Sequence, residues 1–142
     1  MKYAVIDVGS NTVRLCVYDV LCPEKRKFKT IMNRKIMAGL AAYIVDGAFS
    51  DEGIAEAILA VKKCIKRASY LSPDRIDVFA TAVLRNISNS AQAIAAIEQG
   101  ADCTISLLSN ADEAHLGFVG ASSRGTLDDG ALIDIGGGST EI

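Results

Sequence analysis

The chain has 142 residues, 50% hydrophobic and 23% charged, with a formal net charge of −2. That is the size and composition of one ordinary globular domain, and it excludes a disordered or low-complexity chain. The slight negative charge excludes a global attraction to nucleic acid or to a polyanion, so an anion site has to be built locally from amides, a metal ion or a few cations.

Lys2 to Val8 predicts a first strand, Gly9-Ser10-Asn11 a turn, and Val13 to Val20 an alternating second strand. A third follows the turn at Cys22-Pro23-Glu24, where Phe28, Thr30 and Met32 alternate with Lys27, Lys29 and Ile31. The basic run Lys25, Arg26, Lys27, Lys29, Arg34 and Lys35 either guides a polyanion or is a solvated sheet edge protected by lysines. From Ser50 the period changes. Ile54, Ile58, Val61, Ile65 and Ala68 form an apolar stripe, Ser50 is a good N-cap, and acids precede bases along the segment. This pattern predicts an amphipathic helix aligned with its own dipole. Ile76 to Thr81 reads as a buried strand, Asn89 to Gln99 as a second helix stopped by Gly100, and Cys103 to Leu108 as a further strand. Ser109 with Asp112 has capping-box spacing and places Glu113 in the first turn of a last helix.

The final segment, Ala131-Leu-Ile-Asp134-Ile-Gly-Gly-Gly-Ser139-Thr-Glu-Ile142, repeats the chemistry of Tyr3-Ala-Val-Ile-Asp7-Val-Gly-Ser-Asn11-Thr-Val. Each is an apolar strand ending in Asp-x-Gly, then small residues and a hydroxyl. The strand holds a carboxylate at its tip, while the glycine and hydroxyl residues let backbone N–H groups approach an anion. One copy is an unremarkable hairpin; two suggest a clamp. The four cysteines, Cys16, Cys22, Cys64 and Cys103, have no C-x-x-C spacing and read as thiols rather than zinc ligands or a disulfide. No signal peptide is evident, and no apolar run approaches the roughly 18 residues of a spanning helix. The expectation is a cytoplasmic protein without membrane or nucleic-acid contacts.

The paired loops resemble those of the acetate and sugar kinase, heat-shock protein 70 and actin superfamily. Within it the chain most resembles the exopolyphosphatase and guanosine pentaphosphate phosphohydrolase (Ppx/GppA) family. Two further segments carry that resemblance: Thr81, Arg85 and Asn89 after a strand ending in Ala-Thr, and Asp112-Glu113-Ala114-His115-Leu116, which is similar to the family's Glu-Glu-Ala-Arg-Leu. Asn110, Asp112 and His115 depart from the family pattern. His115, the only histidine, reads as a surface helix residue.

The resemblance implies an α/β, ribonuclease H-like (actin-like ATPase) domain, three antiparallel strands followed by alternating helices and strands. It implies a first domain over residues 1–126 and, in residues 127–142, the opening strand and phosphate loop of a second. The complete enzyme would be a bacterial hydrolase releasing terminal phosphate from polyphosphate or guanosine pentaphosphate, the latter a stringent-response nucleotide, and would be a homodimer. In that scheme Glu113 is the base; Gly9, Ser10, Asn11, Thr12, Arg85, Gly136, Gly137, Gly138, Ser139 and Thr140 bind phosphate; and Asp7, Asp134 and Glu141 hold Mg²⁺. For Arg85 the alternative is pairing with a nearby carboxylate. Magnesium suits a few carboxylates plus phosphate and water oxygens, and there is no His/Cys cluster for zinc. The alternatives are an ATP-binding kinase or actin-like domain, or a non-catalytic module. Because Asp134 and the Gly136 to Thr140 loop belong with strands this chain does not contain, residues 131–142 are expected to form a disordered or self-associating tail and the 142-residue chain to be folded but inactive.

Overall fold

The computed structural model describes residues 1–24, 27–123 and 130–142. Lys25, Arg26, the expected domain boundary after residue 126 and the Glu141 side chain lie outside the described residues. Three strands open the chain: β1 (Lys2–Val8), β2 (Thr12–Cys22) and β3 (Lys27–Met37). They pair antiparallel, with Val8 opposite Val13 and Thr12 opposite Met37. β2 and β3 run longer than alternation suggests, because irregularities between Val17 and Tyr18 and between Val20 and Cys22 break the period without breaking the ladder.

A 3₁₀ turn (Leu40–Tyr43) and a small hairpin of β4 (Ile44–Val45) and β5 (Ala48–Phe49) lead into helix α1 (Asp51–Ser69). Asp46 and Gly47 join the two short strands with φ of 50° and 77°, the left-handed pair that a two-residue hairpin with primed geometry needs. Ser50 caps α1 as expected, its Oγ accepting from the N–H of Gly53 at 3.2 Å. The buried stripe is rotated from the expected one. Ala57, Ala60, Val61, Cys64 and Ala68 lie fully buried, and Ile54, Ile58 and Ile65 flank them. That stripe covers Ala4, Ile6 and Val8 of β1 and Val13, Leu15 and Val17 of β2, all fully buried. Each large aliphatic chain so buried contributes roughly 1.5–3 kcal/mol before entropy is counted.

Strand β6 (Arg75–Ala80) lies parallel to β1, and short helix α2 (Ala82–Arg85), helix α3 (Ser90–Ala101), strand β7 (Ile105–Leu107) and helix α4 (Asn110–Ser122) follow. The sheet order is β3-β2-β1-β6-β7, with β6 and β7 parallel, which gives the expected ribonuclease H-like arrangement. The C-terminal ends of β1, β6 and β7 therefore point the same way, into the crevice where open α/β sheets bind ligands. The hairpin β8 (Asp134–Ile135) and β9 (Thr140–Glu141) closes the described chain.

Gly100 does not stop α3, which runs on to Ala101 and ends at Asp102 with φ 53°. Its role is close approach: a Cβ there would sit 2.5 Å from Ile58 Cδ1 of α1. The cysteines are unpaired, Cys16 and Cys64 buried and the other two half-buried. Among the described residues no helix is long and apolar enough to cross a membrane.

Asn89 works as a latch. Its amide accepts from the N–H of Phe49 at 2.8 Å and donates to the Phe49 carbonyl at 2.9 Å, pairing like a strand residue with β5. Removing both bonds leaves a half-buried backbone pair unmatched, so Asn89→Ala is expected to lower unfolding free energy by about 1–3 kcal/mol in urea titration.

Candidate active site

The two Asp-x-Gly turns adopt the same local geometry. In the first, the N–H of Gly9 donates to the Thr12 carbonyl at 3.0 Å and Val8 faces Val13. In the second, the N–H of Gly136 donates to the Ser139 carbonyl at 3.0 Å and Ile135 faces Thr140. The carboxylates stand at matching positions, one residue behind each turn. Both turns close a three-residue step, so the intervening amides are left for a ligand rather than for the ladder.

The loops meet. A Cβ on Gly137 would lie 2.8 Å from Asn11 Nδ2, and one on Gly138 would lie 2.5 Å from Ser10 Oγ and 3.1 Å from Ala82 Cβ. Only glycine allows this approach without displacing backbone or a buried side chain. In this structure the final segment pairs with itself and lies against the first loop. Ser10 and Asn11 are fixed from behind, their carbonyls accepting from Ala41 and Gly39 at 2.9 Å.

A cleft of about 490 Å³ lies between the loops. Asp7, Gly9, Ser10, Asn11, Thr12, Glu113, Asp134, Gly136, Gly137, Gly138 and Ser139 all line it, so most of the residues singled out from sequence come together. Thr140 instead lies in β9 opposite Ile135. Lys35, Met37, Thr81 and Ala82 also line the cleft. Lys35 was grouped with the basic run but not with the site. Its place follows from cross-strand pairing with Arg14, which in turn faces Asp7, a register no single-sequence pattern supplies.

Glu113 reaches the cleft as the capping box predicts. Ser109 accepts from the N–H of Asp112 at 3.1 Å and donates to the Asp112 carboxylate at 2.6 Å. Donation from the Ser109 hydroxyl, and from its backbone N–H at 3.4 Å, holds the Asp112 carboxyl below its usual range.

Arg85 takes the alternative arrangement. Its Nη1 donates to Glu113 Oε2 at 2.9 Å and to the Leu108 carbonyl at 2.8 Å. The pair is 14% and 21% exposed, and Arg85 is not among the residues lining the cleft. Nε and Nη2 of Arg85 are buried with no partner among the described residues.

Burial pushes the Asp7 carboxyl above its ordinary range; Glu113 adds to the shift, Arg14 opposes it and Asp134 adds again. Three carboxylates therefore face one cleft. Among the described residues no three His, Cys, Asp or Glu side chains form a complete metal cage. Asp7 and Asp134 fit instead the mode of Mg²⁺, which takes one or two carboxylates and completes its shell with phosphate and water oxygens.

The family model of the Ppx/GppA phosphatase family matches residues 22–142. An exopolyphosphatase from Cytophaga hutchinsonii superposes on 99% of the chain with a TM-score of 0.87 at 26% identity. A Ppx/GppA family member from Aquifex aeolicus does so on 99% with a TM-score of 0.82 at 22% identity, which speaks for the fold alone. The chain spans 45% of the length of each of these proteins.

Asp7→Asn is expected to stabilise the metal-free chain by roughly 1 kcal/mol, because it removes a charge the fold disfavours. A carboxyl with a raised folded-state pKa binds its proton more tightly when folded, so ionisation weakens the fold as pH rises. The gain should thus be full above the folded pKa and vanish below the ordinary value of 3.8. Thermal melts across pH check it. For the ion pair, Arg85→Ala and Glu113→Gln in a double-mutant cycle should show a coupling of about 1–2 kcal/mol. A coupling near zero would mean that the contact is incidental.

Proposed function

The chain belongs to the Ppx/GppA phosphatase family, and from that premise we propose that its cleft is the phosphoanhydride-hydrolysing site of an exopolyphosphatase-type enzyme. The observation that carries this reading is the pair of equivalent Asp-x-Gly turns facing each other across a cleft that also receives Glu113. Phosphoryl transfer asks for positioning and charge neutralisation more than for covalent chemistry, and this cleft offers both. A non-catalytic module would have no need of an oriented carboxylate at the meeting point.

The terminal phosphoryl group lies between the loops, with the amides of Ser10 and Asn11 and of Gly137 and Gly138, which the turn bonds leave free, donating to its oxygens. Glu113 accepts a proton from a water on the far side. The water oxygen forms a bond to the terminal phosphorus, the anhydride P–O bond breaks, and the bridging oxygen leaves with the shortened chain. Asp7 and Asp134 would hold Mg²⁺, which when bound neutralises charge on the phosphate oxygens. Glu141 is the third candidate from the sequence. Arg85 acts through Glu113: by holding one carboxylate oxygen it leaves the other for the water.

Phosphate release from long-chain polyphosphate, guanosine pentaphosphate and ATP, each with and without Mg²⁺, tests the assignment. Hydrolysis of either of the first two over ATP supports it; a preference for ATP with transfer to a hydroxyl acceptor would point to the kinase branch of the superfamily. Glu113→Gln is expected to retain substrate binding while lowering turnover by about 10²–10⁴, the range for loss of a general base. Single-turnover assays beside equilibrium binding separate the two effects.

A further inference from the structure

Resting on the polyphosphate reading of the cleft, we propose that the outer edge of β3 is a docking strip for the distal part of a long polyphosphate chain whose end lies between the loops. β3 is the terminal strand of the sheet and its outer side has no partner strand among the described residues. Along it stand Lys27, Lys29, Arg34 and Lys35, all exposed, and the strand contains no acidic residue. None of the four forms an ion pair with a described residue.

The strip begins at the site. Lys35 and Met37 line the phosphate cleft, and Met37 pairs with Thr12 of the first loop. From Lys35 the strand runs outward to Lys27, about 26 Å at the rise of a β-strand. Cross-strand pairing sets Lys35 beside Arg14, and Arg34 beside Leu15 on the opposite face, so cations flank the edge from both sides. The unpaired N–H groups of an edge strand point outward between them. This is an arrangement for a linear anion lying along the edge. Of the acids beside the strip, Asp19, across from Lys29, lies 3.6 Å from the N-terminal ammonium, Glu24 sits in the preceding turn, and Asp7, Glu113 and Asp134 stand in the cleft at the inner end, where Arg14 and Arg85 offset Asp7 and Glu113.

A nucleic acid would share the charge but asks for stacking platforms as well. The one aromatic on the strand, Phe28, is packed edge-to-face on Tyr18, with ring centroids 5.4 Å apart. The cleft that the strip enters is lined by small and polar residues. Polyphosphate, which has no bases, fits both.

The test compares the unaltered chain with a Lys27→Ala/Lys29→Ala/Arg34→Ala variant in equilibrium binding of long-chain polyphosphate, tripolyphosphate and a single-stranded oligonucleotide. The changes lie on exposed side chains outside the cleft, and a thermal melt verifies the fold. Affinity for the long chain should fall about 10- to 100-fold and tripolyphosphate binding should stay within about twofold. The slope of log affinity against log salt should drop by roughly 1–2 for the long chain, by the counterion-release argument. Equal losses for both phosphates, no loss for either, or no binding of the long chain to the unaltered protein would overturn the strip. Oligonucleotide binding as tight as that of the long chain would also overturn it. Strip-dependent binding without phosphate release would leave the strip standing and remove the catalytic reading.

Discussion

The rest of the structure answers to one electrostatic constraint: three carboxylates share a cleft that is also lined by two equivalent Asp-x-Gly turns. Asp7 comes from the end of β1, Glu113 from the first turn of α4 and Asp134 from the end of β8, and all three line the same space. Left alone, like charges at such spacing raise one another's pKa and repel a phosphate chain. The fold compensates selectively. Arg14 lowers the Asp7 carboxyl, and Arg85 holds Glu113 through Nη1. Asp134 is exposed to water. Lys35, which also lines the cleft, adds a third cation beside the loop amides. Local charge pairing, rather than the small net charge of the chain, thus sets the electrostatics of the cleft.

The Arg85 contact shows how that compensation is wired into the fold. Leu108, whose carbonyl shares Nη1 with Glu113, also donates its N–H to Ala80 at 2.9 Å. Thr81, next along, donates to the Val8 carbonyl at 3.4 Å and accepts from the N–H of Arg85 at 3.1 Å. The ends of β1, β6 and β7 are therefore tied together by the same short segment that carries the arginine. A shift of α2 would move the guanidinium, and with it the orientation of Glu113. Positioning of Glu113 is in this sense a property of the sheet end rather than of α4 alone.

What the sequence made legible was local. The turns at Gly9 and Gly136, the Ser50 and Ser109 caps and the main strands and helices depend on residues within a few positions of each other and stand as read; the 3₁₀ turn, β4, β5 and α2 were not read. What it hid was partnership across the fold. Gly100 reads as a helix stop by propensity, yet tertiary packing against Ile58 overrides that rule. Beside the two loops Arg85 reads in the sequence as a phosphate ligand, and its ion pair with Glu113 becomes visible only with the placement of α4. Lys35 enters the cleft because of a strand register that two irregularities in β2 and β3 obscure. The Asp46-Gly47 hairpin is different, since its turn signature stands in the sequence between short apolar runs and needed only to be recognised.

The two loops also show why a structural repeat can leave so faint a trace in sequence. Their backbones match, but their side chains divide one space between them. The first loop supplies Ser10, only 8% exposed, and Asn11. The second supplies glycines at the positions facing them, where any Cβ would collide with Ser10, Asn11 or Ala82. Had both turns carried side chains, the carboxylates would stand farther apart; had both been glycine, neither would be held in place by packing. The difference between Gly-Ser-Asn-Thr and Gly-Gly-Gly-Ser is thus complementary: similar turns must differ in bulk where they pack on each other, while Asp and the leading Gly stay the same. Identity survives where the chemistry is shared and is lost where the two halves pack.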